Sequence, residues 1–412
     1  MCRTKEFFAF LQLLALTGIC CAAPFLNSSA EAEFFGLIHP NATLEVIAES
    51  DRNLFAHEAP VWIPGTDDLF FVSNRLDGEN KTVSGHSDVP VHIQMAKINL
   101  NTRRVENVYP KPEILLPNGA VRISEDEILV CSQGLGAVGG SLVRLNVRTL
   151  ESTTLLNSFN GEPFNSLNDL VYSSVYRGFF FTDPPYGADQ GFRNASRLPP
   201  SLYFYSPSKN SVKVLNTEMV KPNGVALSLD SRTLYVSESG YLIDGILVNH
   251  SVPRVIYKFD ITVGTDGRTD ERTDGRTDER TDGRTDGRTD GRTDKRTDGR
   301  TDGWTDGRTY GWTDGRTDGR TVGRTDGLPE VTKRSVFADL NANYADGLKL
   351  DDRGNVWAGV GDGVNVYAPD GRMLGKIATG SGVTNIAFIP DGLIMLAESK
   401  NFQTSQCYRK GI

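Results

Sequence analysis

Cysteine is almost missing from this 412-residue chain. There are five, and Cys2, Cys20 and Cys21 sit at the very start, leaving Cys131 and Cys407. That excludes a disulfide scaffold and any cysteine-spaced zinc site. Histidine is equally scarce, with five residues, too few and too scattered for a clustered zinc centre. Positive charge is not in excess either. The net charge is −8 and the pI about 5.3, which argues against a nucleic-acid binder held by phosphate contacts and leaves an acidic surface tolerant of a cation. No Gly-x-Ser-x-Gly elbow occurs, so Ser-His-Asp chemistry has no support. No phosphate-cradling loop occurs; "GDGVNV" reads only as a turn.

Long apolar runs are also lacking. The first residues, "MCRTKEFFAFLQLLALTGICCAAP", place Arg3 and Lys5 before a short apolar stretch from Phe7 to Leu16 and then small residues. This is the layout of a secretory signal peptide over residues 1–22. The alternative, a membrane anchor, would need a longer apolar core. Cleavage fits after Ala22 or Ala23, and Pro24 disfavours the latter. A secreted, membrane-free mature chain is the expectation. Five N-x-S/T sequons, at Asn27, Asn41, Asn80, Asn194 and Asn249, agree with a glycosylated extracellular surface.

Residues 265–327 lack almost every apolar side chain. They hold fifteen four-residue units of the Thr-Asp-Gly-Arg type and a trailing Thr-Asp-Gly, with 16 acidic and 14 basic residues. Such a segment cannot bury enough surface to offset chain entropy, which predicts disorder. A calcium repeat is the functional alternative, but Asp does not alternate as a helix–loop–helix site requires, and the Gly-Gly-x-Gly-x-Asp nonapeptide is absent. A repeated four-base unit, ACGG, read in triplets gives Thr-Asp-Gly-Arg. Trp304, Trp312, Tyr310, Val322, Glu271 and Glu279 each differ from the unit by one base. The run therefore reads as an expanded microsatellite or a retained intron. It splits the remaining chain into 23–264 and 328–412.

One phrase recurs outside the run: a polar residue, alternating apolar residues, a Gly or Asp turn, and a second apolar strand. The copies are "HEAPVWIPGTDDLFFVSN", "PNGAVRISEDEILVCSQG", "LNDLVYSSVYRGFFFTDP", "PNGVALSLDSRTLYVSES", "ADGLKLDDRGNVWAGVGD" and "TNIAFIPDGLIMLAESKN". Their lead residues are Glu58, Asn118, Asn168, Asn223, Asp346 and Asn385, spaced by 60, 50, 55, 123 and 39 residues, and the 123 becomes 60 once the run is removed. Period-two alternation around turn residues predicts a β-hairpin in each copy. Six such repeats, with further strands such as "SLYFYSP", predict an all-β, six-bladed propeller. A pair of β-sandwiches would not give the regular spacing. The run is expected in a hairpin loop at a blade's outer edge, where a longer loop closes at little cost. Too few residues follow Asn385 for a whole blade, so the stretch "ATLEVIAESD" is expected to supply its outer strand.

The first strand of a propeller blade lines the central channel, so the six lead residues converge on the axis. All are oxygen donors. Two carboxylates and four amides make a hard-cation site suited to Ca2+ rather than zinc. The alternative is that Asn-Gly and Asp-Gly pairs are simply turn residues, but Glu58 is followed by no glycine and the phase repeats.

These residues resemble the gluconolactonase, regucalcin and luciferin-regenerating-enzyme-like propellers, and among them secreted fungal lactonohydrolases. The motifs that carry the likeness are "HEAPVWIPGTDDLFFVSN", "FNSLNDLVYSSVYRGFFFTDPPYG", "KPNGVALSLDSRTLYVSES" and "DGLKLDDRGNVWAGVGDGVNVYAPDGRMLGKIATG". The resemblance implies one Ca2+ held by Glu58, Asn168, Asn223 and Asp346, with Asn168 alternatively at the substrate. Ser166 stands where the mammalian members have Arg, so their sugar contacts do not carry over. It also implies hydrolysis of a small lactone, sugar-type or pantoyl-type. A cation polarises the carbonyl and a nearby carboxylate takes a proton from water. Asp346 is the first candidate for that base, and Glu58 is more purely a ligand. Asp183 is a third carboxylate, read either as close to the channel or as a strand-ending turn before Pro184. His57 neighbours Glu58 in sequence, so strand alternation turns it away, behind the ligands. Asn118 and Asn385 complete the set of substrate-contacting or supporting candidates. Two other functions compete: a phosphotriesterase-like hydrolase with the same cation, and a non-catalytic ligand-binding propeller with a structural cation.

Overall fold

The computed structural model describes residues 21–22, 28–38, 42, 44–48, 55–243, 247–263, 327–341, 343–390 and 392–397. Its strands follow the repeats. Glu58–Ile63, Asp68–Val72, Met95–Asn99 and Val105–Val108 form the first four-stranded antiparallel blade. The second and third start at Pro117–Arg122 and Leu170–Ser173, and the fourth and fifth at Pro222–Leu227 and Ala345–Leu350. Val383–Ile389 and Gly392–Ala397 form a two-stranded hairpin. The protein is thus an all-β propeller with five blades, four of them four-stranded and the fifth extended at its outer edge by the two-residue strand Cys21–Ala22. The sixth repeat appears as that hairpin. Its inner strand lies between the inner strands of the fifth and first blades.

Blades stack face to face, so their middle strands are buried on both sides. Strand Gly178–Asp183, reading GFFFTD, shows why alternation fails there. Phe179 and Phe181 pack with Leu129, Cys131 and Leu142 of the second blade, while Phe180 packs with Val225, Leu234 and Phe259 of the fourth. A run of aromatics satisfies two apolar neighbours at once. Cys131 is a free, buried thiol in this interface. Cys407 lies outside the described residues.

The stretch expected to complete the last blade does something different. Residues 44–48 belong to no strand. Ile47 and Ala48 are buried among Leu69 and Phe71 of the first blade and Ala387, Ile389 and Leu396 of the hairpin. Ahead of them, helix Ser28–Leu37 packs Phe34 against Trp357, Leu374, Ile386 and Leu393. Apolar side chains, rather than a backbone ladder, join this segment to the hairpin.

The long run falls between Val255–Val263 and Pro329–Asp339, the two outer strands of the fourth blade. These pair up to Val263 opposite Pro329. The flanks therefore close as a hairpin at the blade's outer side, as expected. Its predicted disorder concerns residues outside the described set, as does the signal peptide apart from Cys21–Ala22, which pairs with Ile377 and Lys376. Among the described residues, no helix is long and apolar enough to cross a membrane.

Candidate active and cation site

The entry strands of the first, second, fourth and fifth blades carry a register irregularity at or beside the lead residue, Glu58/Val61, Pro117/Ala120, Pro222/Val225 and Ala345/Leu348, as does the hairpin at Val383/Asn385, whereas the third blade's Leu170–Ser173 pairs without one. A bulge leaves a residue outside the ladder and re-aims side chains. Here it frees the lead residue to face the channel while the strand beyond alternates into the core. Ala59 shares in this, at φ 56°. Hydrogen bonds then pass from one blade to the next. Thr182 Oγ1 donates to Asn223 O at 2.7 Å, Ser237 Oγ to Asp346 O at 2.8 Å, and Thr384 Oγ1 to His57 O.

The glycines after the lead residues are strand residues at points of close approach, not turn residues. A Cβ on Gly224 would lie 2.2 Å from the Asp346 carbonyl oxygen, and one on Gly347 would lie 2.4 Å from the Asn385 side chain. Gly224→Ala should therefore cost about 1–3 kcal/mol through overpacking and displace the Asp346 backbone. Urea unfolding alongside a calcium titration reads both effects. Unchanged values in both would refute the close-packing account.

His57, Glu58 and Asp346 offer ligand atoms that all lie within 4.8 Å of one another. Together with Asn118, Asn168 and Asn223 they line a cavity of about 220 Å³. Glu58 is 3% exposed. Burial, then the charges of Asp346 and Asp169, push its carboxyl well above the usual carboxylate range, against a hydrogen bond from Asn385 and the pull of Lys349. That bond is short, Asn385 Nδ2 to Glu58 Oε2 at 2.6 Å. Asn223 donates its amide nitrogen to Tyr186 Oη and Ser239 Oγ, each at 3.1 Å, which leaves its oxygen as the atom to present to a ligand. His57 is lowered to about 4 by burial and then by the Arg75 charge, so it is neutral at pH 7, and its buried Nδ1 has no hydrogen-bond partner. Neighbouring carboxylates, one buried and one half-buried, an orphaned imidazole nitrogen and an oriented amide fit a divalent cation, and the oxygen-rich donors fit calcium.

Two candidates lie elsewhere. Asn385 is 1% exposed and supports Glu58 from behind. Asp183 is fully buried and ends strand Gly178–Asp183 away from the cavity lining. It accepts Asn165 N at 3.0 Å, Asn165 Nδ2 at 3.2 Å and Ser166 N at 2.8 Å, so it fixes the approach to Asn168. Burial, opposed by those donors and by Arg193, pushes it up to about 7. His57 departs from the expectation from alternation: it stands just ahead of the strand Glu58–Ile63, where alternation does not govern it, and a ring nitrogen lies within 4.8 Å of the Glu58 and Asp346 carboxylates. Sequence reasoning missed Tyr186, Ser239, Asp169 and Arg75. Asp169 follows Asn168 in "LNDL", and Tyr186 is the tyrosine of "TDPPYG". Asp169 ties two blades by accepting Leu170 N at 2.9 Å and Val225 N at 3.1 Å. Arg75 belongs to no pattern.

A propeller with carboxylates and amides gathered at one channel mouth defines the class. The chain belongs to the SMP-30/gluconolactonase/LRE-like family, whose model matches residues 56–294 and 303–396. Lactonohydrolase oryL of Aspergillus oryzae is 28% identical over 193 residues, 45% of this chain but only 41% of that protein. A gluconolactonase of Zymomonas mobilis is 22% identical over 365 residues, 84% of this chain and 75% of that protein. The gluconolactonase from Xanthomonas campestris superposes with TM-score 0.59 at 19% identity, covering 96% of this chain and 99% of that one. The calcium-binding protein regucalcin of Agrobacterium tumefaciens gives 0.52 at 15% identity, covering 89% and 96%. At these identities the solved structures support the fold.

Proposed function

We propose that this protein is a secreted, calcium-dependent lactonase acting on a small sugar-type or pantoyl-type lactone. The observation that carries the reading is the buried Glu58 and half-buried Asp346 carboxylates gathered with the His57 ring in a small polar cavity. Family membership and the lactone-hydrolysing names of two relatives support the reaction. Glu58, Asn168, Asn223 and Asp346 would hold the cation, with His57 Nδ1 as a further donor. Bound there, calcium supplies Lewis acidity to a lactone carbonyl and charge stabilisation to the oxyanion that follows. Asp346 takes the proton of the attacking water. Asn385 holds Glu58 in one orientation, and Tyr186 and Ser239 hold Asn223. The cavity suits a single small ring rather than a polymer chain.

The hairpin Val383–Ala397 is proposed as the inner half of a sixth blade. Secretion rests on the layout of residues 1–22 and on sequons at Asn80 and Asn194, both exposed.

The test is hydrolysis of a panel of sugar lactones and pantoyl lactone by the full chain and by a chain lacking residues 265–327. Both are measured with calcium and with a chelator. The expected result is turnover that vanishes with chelator and returns with calcium, equally in both chains. A folded, calcium-loaded protein that opens no lactone would overturn the reading in favour of a non-catalytic binding propeller.

A further inference from the structure

One charged group in the cavity is left over once a cation is assigned. Among the cavity-lining residues the carboxylic side chains are Glu58 and Asp346, and Arg75 is the one arginine or lysine. A divalent cation balances the two carboxylates and leaves Arg75 uncompensated. Arg75 is 5% exposed. Burial is the only cause acting on its guanidinium, pushing it down to about 10, still cationic at neutral pH, and no carboxylate opposes that shift. It is within electrostatic reach of His57. Buried cations are ordinarily paired, because an unpaired one carries a heavy desolvation cost.

Its hydrogen bonds do not account for it. Among the described residues, Arg75 Nη2 donates to Gly85 O at 3.0 Å and Nη1 donates weakly to Gln190 O at 3.4 Å. Beneath it lies the Phe192 ring, 5.9 Å from its Cζ to the centroid. A guanidinium has five N–H donors in a planar fork, so three remain. Two carbonyls and an aromatic face fix the plane of the fork at the cavity wall. Such a pre-oriented fork matches a carboxylate, which it can bind through paired, charge-assisted hydrogen bonds.

We infer that Arg75 is a specificity-determining residue that binds a carboxylate carried by the substrate, so that the preferred substrates are lactones bearing an anionic group beside the ring. This rests on the lactonase reading for its chemistry, but not for its geometry. The lactone carbonyl sits toward Glu58 and Asp346, and the substituent carboxylate sits toward Arg75. Neutral sugar lactones are then the poorer members of the substrate class.

The test uses paraconate, a γ-lactone with a ring carboxylate, and its neutral methyl ester at the ring carboxyl. Wild-type protein with calcium should prefer the acid by about 100-fold in kcat/KM, mostly through KM, as expected for a buried charge pair. Arg75→Gln should collapse that preference to near unity. Arg75→Lys, which keeps the charge but not the fork, should restore part of it. Equal loss for acid and ester, with the preference intact, would overturn the inference and make Arg75 a strap between two loops. Glutarate binding by calorimetry provides a readout independent of turnover. Binding about 100-fold weaker in Arg75→Gln supports the carboxylate site even if no lactone is hydrolysed. Equal binding to both proteins, or none to wild type together with no acid preference, overturns it while leaving the lactonase reading standing.

Discussion

Asp346→Asn should lower kcat for lactone hydrolysis by about 10²–10⁴-fold, the usual contribution of a general base, while the propeller stays folded. The substitution is nearly isosteric and keeps an oxygen at the cavity. The backbone carbonyl of residue 346 still accepts from Ser237 Oγ, so the junction between the fourth and fifth blades is preserved. Stability should not fall, because removing a carboxylate charge relieves one of the groups that raises Glu58. Single-turnover rates at saturating calcium separate the loss of a base from the loss of a ligand. Turnover at the wild-type rate would move the proton acceptor elsewhere, and His57, neutral and within the same cluster, is the next group in reach.

Glu58→Gln should affect calcium before it affects anything else. In the wild type, calcium at about 100 times its Kd should add roughly 2.7 kcal/mol to folding stability. The variant should lose nearly all of that gain. Its calcium-free form should be no less stable than the wild type, since a buried carboxylate beside Asp346 and Asp169 is replaced by a neutral amide. Asn385 Nδ2 can still donate to the remaining side-chain oxygen. Thermal melts with calcium and with chelator decide the matter. A variant with the full calcium-dependent shift would show that Glu58 is not a ligand.

Much of the architecture was legible because each repeat announces itself. Apolar alternation, a Gly or Asp turn and a polar lead residue recur in one phase, and five of the six copies became complete blades. The oxygen donors that converge were legible for the same reason: Glu58, Asn118, Asn168, Asn223 and Asp346 occupy one position in the phrase and one cavity in the fold. What escaped depends on departures from regularity. Period-two reasoning turned His57 away from the site, but His57 stands just ahead of the strand, where alternation does not apply. The Asn-Gly and Asp-Gly pairs allow a turn reading that the repeating phase disfavours, and Gly224 and Gly347 are indeed strand residues that make room for the next blade. Asp183 reads either as a carboxylate near the channel or as a strand end before Pro184; it ends its strand, and its three donors show it fixing residues 165–166. Arg75 had no signal at all, because its place in the cavity comes from the backbone carbonyls of Gly85 and of the distant Gln190, which no side-chain pattern records.

The ring meets itself through its last repeat. Thr384 donates to His57 O and Asn385 clamps Glu58, so the first blade's candidate ligands are set by residues that follow the long run. Asp346 also follows it. If the run arises from a four-base unit, gaining or losing a single unit shifts the reading frame. Every group that closes the ring would then be mistranslated, whereas a change of three units adds or removes four residues and leaves the frame intact. Alleles of this gene should therefore differ in run length by multiples of four residues when they encode a working site. Intermediate lengths would amount to null alleles, although the mutation falls far from Glu58 in sequence and outside the cavity altogether.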